Sequence, residues 1–297
     1  MKKVLTILST ASRLAIPLLP KDPIQWKWKS PDSLTRCSKT HLVLIMTFLL
    51  ITQNKGYPLE ASVKQQCLVK AYPSSITQKG EFIKTMSGKN LVWNDGKLKS
   101  FDEMLNSPDL KDTLSLAYPA FRALTIHPLY NEDPGRFRHE PLMKLVYGNT
   151  EEEVRNNLIS IDWLSYSNGK QVQFNKQNGA AQALKQVIQA LEKLPVAYHK
   201  YFTHIGGTFL YRSVAGTHRL SAHAFGIAID LNVQYGDYWR FTKNNLLSTG
   251  IPYKNRMPQA IIDIFERHCF IWGGRWYHYD TMHFEYRPEL FCGRCVL

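Results

Sequence analysis

Between residues 226 and 233 apolar side chains alternate with small or polar ones. Ile227, Ile229, Leu231 and Val233 fall on one face, and Gly226, Ala228, Asp230 and Asn232 on the other. A period of two predicts a β-strand, here with one greasy face and one face free of bulk. A second strand is predicted over 283–286, where His283 and Glu285 share one face and Phe284 and Tyr286 the other. Helical spacing appears over 178–194, with Ala183, Leu184, Val187, Ile188 and Leu191 on one side and Pro195 ending the run. Residues 151–164 predict another helix. Asn149-Thr150 offers a cap, acidic residues fill the first turn, and Val154, Leu158 and Ile161 share a face.

The stretch 64–166 is otherwise mixed. Turn signals at Asn94-Asp95-Gly96, Ser107-Pro108-Asp109 and Asp133-Pro134-Gly135 punctuate short apolar runs, so helix and loop are expected to dominate. The predicted class is α+β: a small antiparallel sheet flanked by helices, with a mainly helical N-terminal extension. Three segments are expected: a basic tail over 1–60, the extension over 61–170, and a catalytic domain over 171–297. Within the tail, residues 41–53 (HLVLIMTFLLITQ) are the only strongly apolar run. The run is short for a membrane span but fits the hydrophobic part of an export signal or anchor. Eight Lys and Arg residues precede it, from Lys2 to Lys39, against Asp22 and Asp32 alone, an asymmetry that orients the chain with its N-terminus inside and its C-terminus outside.

Composition sharpens this picture in two places. With 44% hydrophobic residues in 297 the chain has enough apolar material to fold around a core. The net charge of +13 implies polyanionic surroundings: nucleic acid, an anionic membrane face or the acidic polymers of a cell envelope. Nucleic acid is set aside as a partner, because the sequence offers no basic recognition helix, zinc-finger spacing or RNP-like aromatic strand. Five cysteines are too few for a disulfide framework. Cys292 and Cys295 are equally consistent with a short terminal disulfide and with two free thiols, and Cys37, Cys67 and Cys269 are taken as ordinary cysteines.

The open face of the first strand carries the candidate chemistry. A catalytic zinc takes three nitrogen or carboxylate ligands and keeps one position free, and His223, Asp230 and His283 supply that set. If the two strands are antiparallel neighbours, Asp230 and His283 meet on one face and the preceding loop folds His223 onto them. Peptide hydrolysis also needs a carboxylate that takes the proton of the attacking water and delivers it to the leaving amine. Asp280, three residues before His283, is the candidate. Glu285 is the alternative, although its shared face with His283 suits it better to orienting that imidazole. The plainer reading is a buried His–Asp hydrogen bond with no metal.

Ser221-Ala222-His223-Ala224-Phe225-Gly226-Ile227-Ala228-Ile229-Asp230 resembles the SxHxxGxAxD motif of the D-alanyl-D-alanine carboxypeptidase (VanY-type) zinc peptidases, and Asp280-Thr281-Met282-His283 resembles their acidic-x-x-His element. The likeness is strongest over 206–290, and 72–178 looks like the extension of one branch. It implies one Zn²⁺ held by His223, Asp230 and His283, Asp280 as general base and acid, and Arg212 as the arginine that holds substrate or steadies the oxyanion, with Arg219 the alternative. It further implies hydrolysis of an amide bond in peptidoglycan stem peptides or their precursors, on the periplasmic or outer side of the membrane. Whether a terminal D-alanine or an internal bond is cut stays open. The runner-up is a non-catalytic zinc-containing module that binds wall peptides. Trp272, Trp276, Tyr277 and Tyr279 are candidates for a cleft wall, and Cys269 stands where the resemblance leads one to expect Gly.

Overall fold

The structure, a computed structural model, describes residues 57–295 apart from 81, 168 and 242–249, so the apolar segment 41–53 lies outside the described residues. Lys55–Leu297 form one compact unit. Among the described residues no helix is long and apolar enough to cross a membrane.

Helix α1 (Tyr57–Ala71) leads into an antiparallel sheet of β1 (Ile76–Lys79), β2 (Phe82–Thr85) and β3 (Asn90–Leu91). The sequence predicted helix and loop here. Alternation is confined to four-residue strands in which Ile76, Ile83 and Thr85 point inward, too short a period to stand out. Two short helices follow, α2 (Phe101–Asn106) and α3 (Leu110–Thr113), each opened by a capping box, Ser100 with Glu103 and Asp109 with Asp112. Helix α4 (Glu140–Tyr147) then precedes α5 (Glu151–Asn157), which Thr150 caps through the Glu153 amide.

Here the predicted helix over 151–164 is corrected. The chain leaves α5 after Asn157 and continues as β4 (Leu158–Asp162), paired antiparallel with β5 (Gln171–Asn175) from Leu158↔Asn175 to Asp162↔Gln171. Leu158 and Ile161 are three apart and so mimic a helical face. The β-branched Ile159 and Ile161 and the partner strand bearing Val172 and Phe174 decide for the sheet.

Helix α6 (Ala180–Leu191) buries Ala183, Leu184, Val187, Ile188 and Leu191, the face its spacing predicted. It starts later than residue 178 because Asn178 and Gly179 are left-handed. The last elements build the main sheet: β6 (Ile205–Gly207), β7 (Ala228–Asn232), helix α7 (Gln259–Arg267), β8 (Phe270–Trp272) and β9 (His283–Tyr286), in the order β6-β7-β9-β8 and antiparallel throughout. Phe284 on β9 stacks on Phe265 of α7 with ring centroids 4.0 Å apart, so α7 covers the apolar face. Asp230 pairs with His283 and Ala228 with Glu285, which puts the polar residues of both strands on the opposite face.

The segment before α4 is bonded into this sheet region. Tyr72 Oη donates to Glu289 and Tyr118 Oη to Glu266, each at 2.6 Å. Trp276 Nε1 donates to the Pro134 carbonyl at 2.8 Å, and Arg287 donates to that of Gly135. Gly135 has φ +90°, and a Cβ there would strike Ile271 and Leu290, so this turn requires glycine.

Cysteine pairing is a second correction. Cys67 is bonded to Cys292 and Cys269 to Cys295, with Cα separations of 4.8 and 5.2 Å. Cys292 and Cys295 therefore face different partners rather than each other. The first link closes 225 residues, a proximity that spacing cannot reveal. Cys269 has φ 65° directly after the His268 cap of α7, the left-handed position where helices favour Gly. Each link is expected to contribute about 2–4 kcal/mol. In urea unfolding, Cys269→Gly should be less damaging than Cys269→Ser by about 1 kcal/mol, because only Gly tolerates that backbone freely. An unfolding midpoint indifferent to reductant would contradict the linkage.

Candidate metal centre

The spacing of the SxHxxG segment follows from one tight turn. Ser221 accepts the His223 amide at 3.3 Å and opens a 3₁₀ turn, Ala222–Phe225. Gly226 closes it at φ +66°, where a Cβ would meet Leu158 at 2.5 Å. The chain then drops into β7, leaving His223 above the face that carries Asp230. The Asn175 side chain donates to the carbonyls of Phe225 and Tyr147, both at 2.9 Å, and fixes the turn from below.

His223 Nε2 lies 3.2 Å from His283 Nδ1 and 3.3 Å from Asp230 Oδ1, and His283 Nδ1 lies 2.9 Å from the same oxygen. The three residues form a group able to hold a metal ion. What surrounds them fixes which ring nitrogens carry protons. His223 Nδ1 is 2.7 Å from the Thr208 carbonyl, which can only accept. His283 Nε2 is 3.2 Å from Glu285 Oε2. Burial opposes ionisation of Glu285, but Arg138, His283 and Arg287 overcome it and hold its carboxyl far below the usual range. Both outer nitrogens therefore donate. In neutral imidazoles the two inner nitrogens then present lone pairs, and with the Asp230 oxygen they make three acceptors crowded together without a donor. Such a set accommodates a cation at its centre, a proton or a metal ion, and two imidazoles with one carboxylate suit zinc.

Without a metal, that cation is a proton on His283. Burial disfavours the charged form of His283, yet its hydrogen bonds to Asp230 and Glu285 prevail and hold its pKa up at about 10. Asp230 is likewise desolvated, and His223 and His283 nonetheless pull its carboxyl far below the ordinary value.

Asp280 sits in the loop entering β9. Its backbone is pinned by N–H donation to the Gly273 carbonyl at 3.1 Å and by accepting the His283 amide at 3.2 Å. Its side chain lines the same cavity of about 310 Å³ as the triad, and its Oδ1 is buried with no hydrogen-bond partner. Burial, together with the negative field of Asp230, raises its pKa to about 6 in spite of the nearby His283, His223 and Arg136. An unsolvated carboxylate poised near neutrality is equipped to take and return a proton.

Arg212 and Arg219 both line the cavity. Arg212 is exposed, its guanidinium only loosely held at 3.4 Å from the Ser213 carbonyl, whereas Arg219 is half-buried and donates to the Arg136 carbonyl at 2.9 Å. Glu285, the alternative proton carrier, is fully occupied by Arg138, Arg287 and His283. Of the four aromatic candidates only Trp276 lines the cavity. Trp272 and Tyr279 are core residues, and Tyr277 packs against Tyr130. Tyr238 and Trp239 take the wall positions instead.

Sequence reasoning did not assign sites to Arg136 and Arg138, which reach the cavity from the extension, or to Thr208. The unusual density of turn residues at Asp133-Pro134-Gly135-Arg136 was the available signal for the first pair. A backbone acceptor such as that of Thr208 leaves none. Asp133 is fully buried and accepts both the backbone amide and Nδ1 of His278, at 3.0 and 2.6 Å, so this turn also shapes the cavity rim.

Residues 215–286 match the family model described as D-alanyl-D-alanine carboxypeptidase. The matched segment contains His223, Asp230, Asp280 and His283 and begins after Arg212. The resemblance drawn from the two motifs is borne out, and at family level the match supports a peptidase of this type. No curated protein and no solved structure matches the chain.

Proposed function

We propose that this chain is a zinc peptidase of the D-alanyl-D-alanine carboxypeptidase type that hydrolyses an amide bond of peptidoglycan stem peptides. The observation that carries the reading is the pairing of two features in one cavity: three inward-facing ligand atoms placed to hold a cation, and a carboxylate beside them with a buried, unpartnered oxygen.

His223 Nε2, Asp230 Oδ1 and His283 Nδ1 would hold one Zn²⁺, which supplies Lewis acidity toward the scissile carbonyl and acidifies water toward a pKa of ~7. Thr208 and Glu285 lock the two imidazoles in the tautomers that keep those nitrogens free. Asp280 Oδ1 accepts the proton of the attacking water and returns it to the departing amine nitrogen. Arg212 offers a guanidinium to the negative charge that builds on the carbonyl oxygen, or to a substrate carboxylate. Trp276, Tyr238 and Trp239 wall the peptide in and exclude water from the reacting bond.

The site of action follows as part of the same proposal. Two disulfides suit an oxidising compartment, and with the charge asymmetry before residues 41–53 they support the periplasmic or outer side of the cytoplasmic membrane, by export or N-terminal anchoring. The test is mass spectrometry of a muropeptide mixture incubated with the full chain. A product that forms with zinc and vanishes with chelator is expected, and the mass lost identifies the bond as terminal or internal. Peptide retained on the protein with no fragment released would replace hydrolysis by binding.

A further inference from the structure

Five guanidiniums line the cavity, those of Arg136, Arg138, Arg212, Arg219 and Arg240. The acids that line this cavity or its rim are committed to other roles. Asp230 belongs to the triad, Asp280 carries the proton, Glu285 is bonded to Arg138 at 3.1 Å and Arg287 at 2.8 Å, and Asp133 is bonded to Arg136 at 3.0 Å and to His278. Arg219 makes no ion pair among the described residues. Its one hydrogen bond runs from Nη1 to the Arg136 carbonyl, and its Nε is buried with no partner. A half-buried guanidinium whose Nε is enclosed and unsatisfied, with like charges behind it, is costly. Burial and the positive fields of Arg138 and Arg136 also press its pKa down, which is the signature of a cation lacking its anion.

The backbone holds Arg219 in place. Ser213 and Leu220 form a bridge, the Val214 amide donates to the Arg219 carbonyl at 2.9 Å, and the Leu220 amide donates to Glu140 at 3.0 Å. Beyond Arg219 the space continues. A second cavity of about 300 Å³ shares Arg136, Arg219 and Trp239 with the first and extends to Phe101, Asp102 and Leu105 of α2, and Asp102 makes no ion pair with Arg219. The cleft is therefore longer than the reacting bond needs, and Arg219 stands where its two parts join.

We propose that Arg219, with Arg136 and Arg138 behind it, is an anion subsite separate from Arg212 that fixes a second carboxylate of the peptide, so that the protein selects stem peptides carrying a free acid at that point. The proposal rests on the peptidase reading for the identity of the ligand. A carboxylate is the right partner because it accepts two parallel hydrogen bonds from the guanidinium edge that includes Nε. It comes from one of two places, the terminal α-carboxylate or the carboxylate of an acidic residue within the peptide.

The test is titration calorimetry on the zinc-loaded full chain carrying Asp280→Asn, so that turnover does not consume the ligand. The probes are a stem pentapeptide, its C-terminal amide, and the same peptide with its internal acid converted to carboxamide. One of the two amidations is expected to weaken binding ~10–100-fold, and which one it is identifies the source. Adding Arg219→Gln should weaken binding of the free acid by the same factor and abolish the difference, while Arg219→Lys should keep part of it. Equal affinity for all three peptides, a measurement that needs no Arg219 variant, overturns the proposal, as does discrimination that survives Arg219→Gln. If the wild-type chain binds in this acid-selective way but never hydrolyses, the peptidase reading fails and the subsite stands. Hydrolysis without acid selectivity sinks the subsite alone.

Discussion

Asp280→Asn is expected to cut turnover by about 10²–10⁴-fold, the usual worth of a positioned acid–base group, while the protein still binds one zinc and, metal-free, becomes harder to unfold at neutral pH. The two effects share one cause. The Asp280 carboxyl is buried, one of its oxygens lacks a partner, and its pKa is raised from 3.8 to about 6. Because the folded value lies above the unfolded one, the folded state holds the proton more tightly. That contribution to stability is complete below pH 3.8 and is lost as pH rises through about 6. Above pH 6 the ionised side chain costs the metal-free fold about 3 kcal/mol, from a gap of about two pH units at ~1.4 kcal/mol each. Asparagine removes the charge at nearly the same volume, so metal-free Asp280→Asn should gain about 2–3 kcal/mol at pH 7.5 and almost nothing at pH 3.5. Paired urea unfolding curves at the two pH values check this, with kcat and zinc content measured on the same preparations. The acidic limb of kcat/KM should lie at or below about pH 6, since a bound cation favours the ionised carboxylate. A variant that lost zinc together with activity would assign Asp280 to the metal rather than to the proton.

His283→Ala should lose both zinc and turnover, and zinc uptake by the unaltered chain should release about one proton near pH 7.5. In the metal-free protein the pKa of His283 is held at about 10 between Asp230 and Glu285, so at that pH the imidazole carries a second proton that zinc must displace. Apparent zinc affinity is then expected to rise about tenfold per pH unit from near 7 toward 10. The linked stability runs in the opposite direction. A folded pKa above the unfolded 6.5 stabilises the metal-free protein fully below pH 6.5, and this is lost as pH rises through 10. Removing the imidazole forfeits that contribution but leaves Glu285 paired with Arg138 and Arg287, so metal-free His283→Ala should be less stable near neutral pH and still fold. Calorimetric zinc titrations in buffers of different ionisation heat count the protons. Stoichiometric zinc in His283→Ala, or no proton release in the unaltered chain, would remove His283 from the ligand set.

The sequence by itself determined the elements whose periodicity is local and strong. Strands β7 and β9 alternate cleanly because one face is packed under α7 and the other must stay small or polar around Asp230 and His283. Helix α6 shows its buried face for the same reason. The two motifs are short because a single tight turn and a single strand pairing bring His223, Asp230 and His283 together, so residues near one another in sequence carry much of the geometry. Tertiary structure decided what depends on distant segments meeting. The chain over 158–162 has a face compatible with helix and becomes a strand only because β5 pairs with it. Cys67 finds Cys292 across 225 residues, while Cys292 and Cys295, three apart, turn to different partners. Arg136 and Arg138 come to the cavity only through the folded extension, and the raised pKa of Asp280 exists only once other segments have stripped water from it. Spacing records which residue types stand at a position, whereas burial and the match of charges are properties of the assembled surface around them.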